Sequence, residues 1–209
     1  MNLHDSSLIG STEIDKIYRM PILAYNVPWM LFNIFLALLA LGFGYIFIKS
    51  KNTLLTFIFG ILWILFLPNT IYLFTDLEHL IDQWSYVTTD LQFILFLQYV
   101  VFVGIGFASY LFAFYPFEKI ILAWNIFKKN KIFVIVAFNY FIAFGMVLGR
   151  VERINSWEVF TNPVKVISSA VHVFHSVDLF GLMLLFGILC NCFYFLFRDR
   201  VLYTLRRFK

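Results

Sequence analysis

Two polar strips interrupt an otherwise greasy chain, and both carry residue types that can do chemistry. The first, "PNTIYLFTDLEHL" at residues 68–80, holds Asn69, Tyr72, Asp76 and His79. Asp76 and His79 are three apart, so a helix there presents a carboxylate and an imidazole on one face, with Glu78 and Asp82 on another. Glu78 and Asp82 read as wet surface residues. The second strip, "GRVERINSWEVFTNP" at residues 149–163, sets Arg150 and Arg153 one turn apart, followed by Asn155, Trp157 and Glu158. If the helix continues past Arg150, both guanidiniums leave one face and can grip a phosphate or carboxylate bidentately. The competing role for such arginines is snorkelling to lipid phosphates. Asp76 or Glu158 has the character of a general base, and His79 that of an acid or base. His172 and His175 could meet His79 around a metal, but their spacing lacks an interposed glutamate, so no metal and no cofactor are expected.

The elements that must position these groups follow from composition. The 209 residues are 62% hydrophobic and 13% charged and include 28 Phe, too much apolar mass for a water-facing polar shell to cover. Uncharged intervals run Met20–Ile48, Asn52–Thr75, Leu91–Phe117, Ile132–Gly149 and Leu179–Phe197. Each can cross about 30 Å of hydrocarbon at about 1.5 Å per residue. The expected fold is therefore all-α: a polytopic membrane bundle of about five transmembrane helices plus short interfacial helices. It forms a single domain over residues 20–198, between an N-terminal tail (1–19) and a basic C-terminal tail (199–209). The tail lacks the pattern of a secretory signal and is expected to stay attached. Interfacial helices are expected at residues 12–19 and from Pro116 to Lys131, where Ile120, Ile121, Trp124 and Phe127 share a face. Cys190 and Cys192 point to different sides of the last span and form neither a disulfide nor a metal pair.

Pro68 lies inside the second uncharged run, removes a backbone donor and breaks that helix near Leu67. Thr75 and Glu78 have capping-box spacing, so a new helix is expected from Asp76, with irregular or distorted backbone over Asn69–Phe74. The break has two readings: a polar pocket, or a plain kink whose freed carbonyl a neighbouring helix satisfies. Gly145 with Gly149, and Gly104 with Ala108, supply small residues for close helix approach. Asn162 before Pro163 starts another helix, with Val164, Ile167, Val171 and Phe174 on one side and Lys165, Ser168, Ser169, His172 and His175 on the other.

Alternate connections divide the charge. Of 16 Lys and Arg, 11 fall on the side that carries the C-terminus, which the positive-inside rule assigns to the cytoplasm. That side suits anionic lipid headgroups, not nucleic acid. Ten of the 12 acidic residues and all four histidines fall on the opposite, outer side with the N-terminus.

At these two strips the chain resembles the small bacterial membrane proteins grouped as Domain of Unknown Function 1361. "FLPNTIYLFTDLEHL" and "LGRVERINSWE" carry the likeness, with "FNIFLA" at 32–37 a weaker third match. The shared positions are Asn33, Pro68, Asn69, Tyr72, Thr75, Asp76, His79, Asp90, Gly149, Arg150, Arg153, Asn155, Ser156, Trp157 and Glu158. Ile71 and Glu152 depart from the family pattern. The resemblance implies an address in a bacterial cytoplasmic membrane and a residue set, with no activity attached. Among these residues Pro68, Thr75 and Gly149 read as structural. The expected function is binding, or a transport-associated role, for a small solute or anionic headgroup near the outer leaflet. Two alternatives stand beside it: an enzyme acting on a lipid headgroup or lipid-linked sugar, and a structural protein in which Asp76 pairs with an arginine or another membrane protein docks.

Overall fold

The computed structural model describes residues 21–123 and 130–207, and among these every regular element is a helix. They are α1 (Pro21–Lys49), α2 (Thr53–Phe66), α3 (Pro68–Tyr72), α4 (Leu77–Trp84), α5 (Thr89–Ala123), α6 (Lys131–Arg150), α7 (Glu158–Thr161), α8 (Pro163–His175) and α9 (Val177–Arg207). Five stretches of them are long and apolar enough to cross a membrane: Ile22–Lys49, Thr53–Trp84, Thr89–Ile120, Lys131–Arg150 and Val177–Arg200. Their outward faces expose Phe32, Phe57, Phe96, Phe133 and Leu185, a surface suited to acyl chains rather than water. The chain is an all-α, multi-pass membrane bundle.

The second span is three helices end to end. Asn52 starts α2 by accepting bonds from the Leu54 and Leu55 amides at 2.9 and 3.2 Å, and Pro68 ends it by having no N–H to give. The short α3 that Pro68 begins packs against α1, α2, α5 and α6. It is the hub of the bundle, with Leu67, Ile71 and Leu73 fully buried. Glycines on two neighbours make room for it. A methyl group at Gly145 of α6 would overlap the Pro68 ring, and one at Gly106 of α5 would lie 2.8 Å from the Thr70 carbonyl oxygen. Gly149 meets the Tyr72 ring. Gly104 and Ala108 are exposed and bring no helix close, so Gly106 plays the part expected of them.

One local expectation is narrowed and two are corrected. Of the two forms expected over Asn69–Phe74, distorted helix is found and irregular backbone is not: α3 runs into tight turns, with Phe74 N–H bonded to Ile71 O at 3.0 Å and Thr75 N–H to Tyr72 O at 2.8 Å. Tightened turns satisfy amides locally where surrounding lipid and core could not. The capping box does not form either. Asp76 already has helical angles and makes no side-chain cap bond, while the Thr75 hydroxyl turns back to Tyr72 O at 2.7 Å. Finally, α5 continues through Pro116 to Ala123, so no separate helix begins at Pro116. The rest of that expected interfacial helix, residues 124–129, and the one at 12–19 lie outside the described residues.

Helices α4, α7 and α8 gather at one face, with the end of α6 and the starts of α5 and α9. At the opposite face buried Glu118 joins Arg198 at 2.5 Å and Lys131 at 3.5 Å, tying α5 to α9 and α6. As expected, Asn162 caps α8, accepting from the Lys165 amide at 3.3 Å. Only Ser169 and Val173 of α8 are buried, while Val164, Ile167, Val171 and Phe174 are exposed. An outward apolar stripe above membrane spans is the arrangement of a helix lying in the bilayer interface.

Candidate functional site

The two polar strips meet. Breaking a helix at proline frees carbonyls of the preceding turn, and both strips satisfy them. Ser156 Oγ donates to Leu65 O at 2.9 Å. Asn69 Nδ2 donates to Phe66 O at 3.1 Å and to Ser156 Oγ at 2.9 Å. At Pro68–Asn69, then, freed carbonyls are satisfied by Asn69 and by Ser156. Beside the break lies a small cavity of about 200 Å³, lined in part by Pro68, Asn69, Tyr72, Asn155 and Ser156.

One turn further out, the strips meet again through charge. Arg150, the last residue of α6, donates from Nη1 to Asp76 Oδ1 at 2.9 Å and from Nη2 to Glu78 Oε2 at 2.6 Å. Asp76 is only 3% exposed, and its other oxygen lies 3.5 Å from the Asn33 amide of α1. A buried carboxylate needs such partners. Glu78, read as a wet surface residue, is 67% exposed, and it also serves as the second anchor of Arg150. His79 turns towards α1, edge-on to Trp29 with ring centroids 5.6 Å apart.

Helix α6 does not continue to Arg153, as the shared-face reading required. Arg153 sits in the connection to α7 at φ 52, the left-handed region that a non-glycine residue rarely adopts. That conformation turns the chain back, so that Ile154 N–H reaches Leu148 O at 3.0 Å. Arg150 and Arg153 nevertheless line one cavity of about 1040 Å³, together with Tyr72, Thr75, Glu78, His79, Gly149 and Asn155, and with Leu182 and Phe186 of α9. Among the described residues, Arg153 has no carboxylate partner.

The remaining candidates build the connection around it. Glu158 Oε2 accepts the Asn155 amide at 2.6 Å and its Oε1 meets Lys165 at 2.7 Å. The Asn155 amide first, and Lys165 after it, hold the Glu158 carboxyl below its usual range. Glu152 lies 2.8 Å from His172 Nδ1 of α8, and that bond chiefly lowers its carboxyl as well. Trp157 is exposed at the start of α7. His175 reaches the Val171 carbonyl, and among the described residues no group of three or more His, Cys, Asp or Glu gathers as metal ligands. Asp76 and Glu158, the two candidate bases, are both held by cations.

Several polar groups went unread in the sequence. Tyr110 donates to Asn139 Oδ1 at 2.6 Å, Asn139 donates to Asn191 Oδ1 at 2.9 Å, and Asn191 donates to Gly187 O at 2.8 Å, joining α5, α6 and α9 inside the bundle. Near the site face, Asn26 and Gln83 exchange bonds at 2.8 and 3.0 Å, tying α4 to α1. Lone amides within uncharged runs were the available signal, since lipid does not tolerate them unpaired.

Bundle and site together define a polytopic helical membrane protein with a charged cavity at one face. Residues 32–193, most of the chain, match the family described as "Protein of unknown function (DUF1361)", and the chain belongs to that family. Comparison with curated proteins and with solved structures gives no match.

Proposed function

We propose that this protein is a binding or transport-associated membrane component, and that the cavity of about 1040 Å³ receives a small anionic solute or headgroup. One observation carries the reading: Arg153 stands at φ 52 on that cavity and, among the described residues, has no carboxylate partner. Left-handed backbone at a non-glycine residue costs about 1–3 kcal/mol and persists where surrounding structure enforces it, frequently at binding sites. The cost here holds a cation at the mouth of a cavity. Arg150 beside it is pre-oriented by two carboxylates, and Tyr72, His79 and Asn155 offer further polar contacts. In this reading the site face is the outer one, opposite the basic ends of the spans.

Arg153→Gly separates backbone from guanidinium. Glycine is at ease at φ 52, so the variant should be as stable as the native chain or more stable by about 1 kcal/mol. In thermal-shift measurements on purified protein, anionic members of a solute panel should raise the native melting temperature and leave Arg153→Gly unmoved. Flat curves for the native chain across phosphates, carboxylates and soluble headgroups would remove the reading.

A second reading has its own observation, the double engagement of Arg150 by Asp76 and Glu78. Here the cluster is a lock between α6 and the second span. Arg150→Met would strand a buried carboxylate and cost about 3–5 kcal/mol. Exchanging Asp76 and Arg150 should restore folding under the lock reading. It should not restore any anion-induced stabilisation under the binding reading.

A further inference from the structure

The cavity has a cationic mouth and an apolar wall, and Glu78 occupies part of the mouth. Leu182 and Phe186 of α9 form that wall. Phe186 lies nine residues below Val177, the first residue of the span, so the wall reaches about 14 Å beneath the end of the helix, a depth where acyl chains begin. Phe74 lines the same cavity and packs on Phe107 and Phe193, with centroids 5.7 and 6.3 Å away. A free inorganic ion uses none of this apolar surface. Above it, Arg150 keeps Nη1 on buried Asp76 and gives Nη2 to Glu78, whose side chain is 67% exposed. A contact to so exposed a carboxylate is screened by water and is weak. The buried half of the pair is fixed, and the exposed half can be displaced.

Resting on the binding reading above, we infer that the ligand is a phosphate-bearing amphiphile. Its headgroup takes the place of Glu78 on Arg150 and is shared with Arg153, while its chain lies along Leu182 and Phe186. A phosphate monoester has three oxygens for two guanidiniums, and among the described residues no carboxylate has to leave Arg153 for it to receive one. Glu78 acts as a resident competitor. It keeps Arg150 oriented while the cavity is empty and swings to solvent when an anion arrives.

The test titrates the full chain, in phosphatidylcholine nanodiscs, with dioctanoyl phosphatidate, dioctanoylglycerol and inorganic phosphate. Phosphatidate should bind tightest, with each of the others at least about tenfold weaker. Glu78→Gln removes the competitor and should tighten phosphatidate binding about two- to fivefold. Arg153→Gln should weaken it about tenfold or more. Because Glu78 is exposed, its substitution leaves the packing intact. Inorganic phosphate binding as well as phosphatidate overturns the amphiphile, and dioctanoylglycerol binding as well overturns the anionic headgroup. Phosphatidate binding that Glu78→Gln leaves unchanged or weakens overturns the displaced seat, while the broader binding reading stands. No binding of any probe to the native chain sinks both.

Discussion

Arg153 and the two carboxylates near it show how much of the site rests on single side chains in the α6–α8 connection. Glu158 is held low mainly by the Asn155 amide, and Glu152 mainly by its bond to His172. A carboxyl depressed on folding stabilises the native connection above its unfolded value, near 4.3, and that contribution disappears as pH falls through the lowered native value. Amide exchange at Asn155 should therefore stay protected through neutral and mildly acidic pH and lose protection only on further acidification. In Glu158→Gln the protection should already be reduced at neutral pH. If Asn155 opens instead as pH rises from 5 to 7, Glu158 is not what closes this turn. At this scale the sequence was half legible. Arg150, Asp76, Tyr72, Asn155 and His79 were recognisable as residue types and do gather at one face. The exposure of Glu78 was legible but its bond to Arg150 was not, because that partner lies on another span and nothing local marks a solvated glutamate as an anchor. The left-handed turn at Arg153 was also invisible, since arginine carries no preference for it.

Between elements, the decisive fit is the Pro68 ring against Gly145. Putting a methyl group at Gly145 forces α6 away from α3, the overpacking kind of change that costs about 1–3 kcal/mol. Gly145→Ala should therefore destabilise the protein by about that amount, and much less in a Pro68→Ala background, where the ring is gone. A double-mutant cycle measures the coupling, and additive effects would show that the two positions do not press on each other. The break itself was plain in the sequence, because proline's lost donor acts wherever it stands. How the break heals was not. Whether the backbone beyond a proline unravels or tightens depends on groups that come to its carbonyls, and here these are Asn69 next door and Ser156 from a distant loop. The helix expected at Pro116 failed for a related reason. Proline within a long apolar helix need not end it when packing on both sides holds the axis, and α5 passes through Pro116 to Ala123.

For the molecule as a whole, number and extent of spans came directly from the uncharged intervals, because the thickness of the bilayer leaves little choice. Which surfaces face each other did not, since almost every face of each span is apolar and periodicity does not pick one. The bundle places the α4–α5 turn and the start of α9 at the same end, with the turn before α6 at the other. In a chain stripped of Cys190 and Cys192, Ser85→Cys and Val177→Cys should react with an impermeant thiol reagent from the same side of sealed vesicles, and Asn130→Cys only from the other. Labelling of Ser85→Cys and Asn130→Cys from one side would contradict the five-span arrangement.

The distance along the chain between Asp76 and Arg150, 74 residues, has a consequence for how the protein is made. A ribosome adding about 5–20 residues each second needs about 4–15 s to produce the arginine after the aspartate has emerged. Throughout that interval the carboxylate lacks the guanidinium it pairs with in the finished fold, so until the fourth span arrives its charge has to be met by water or by groups already made, such as the Asn33 amide.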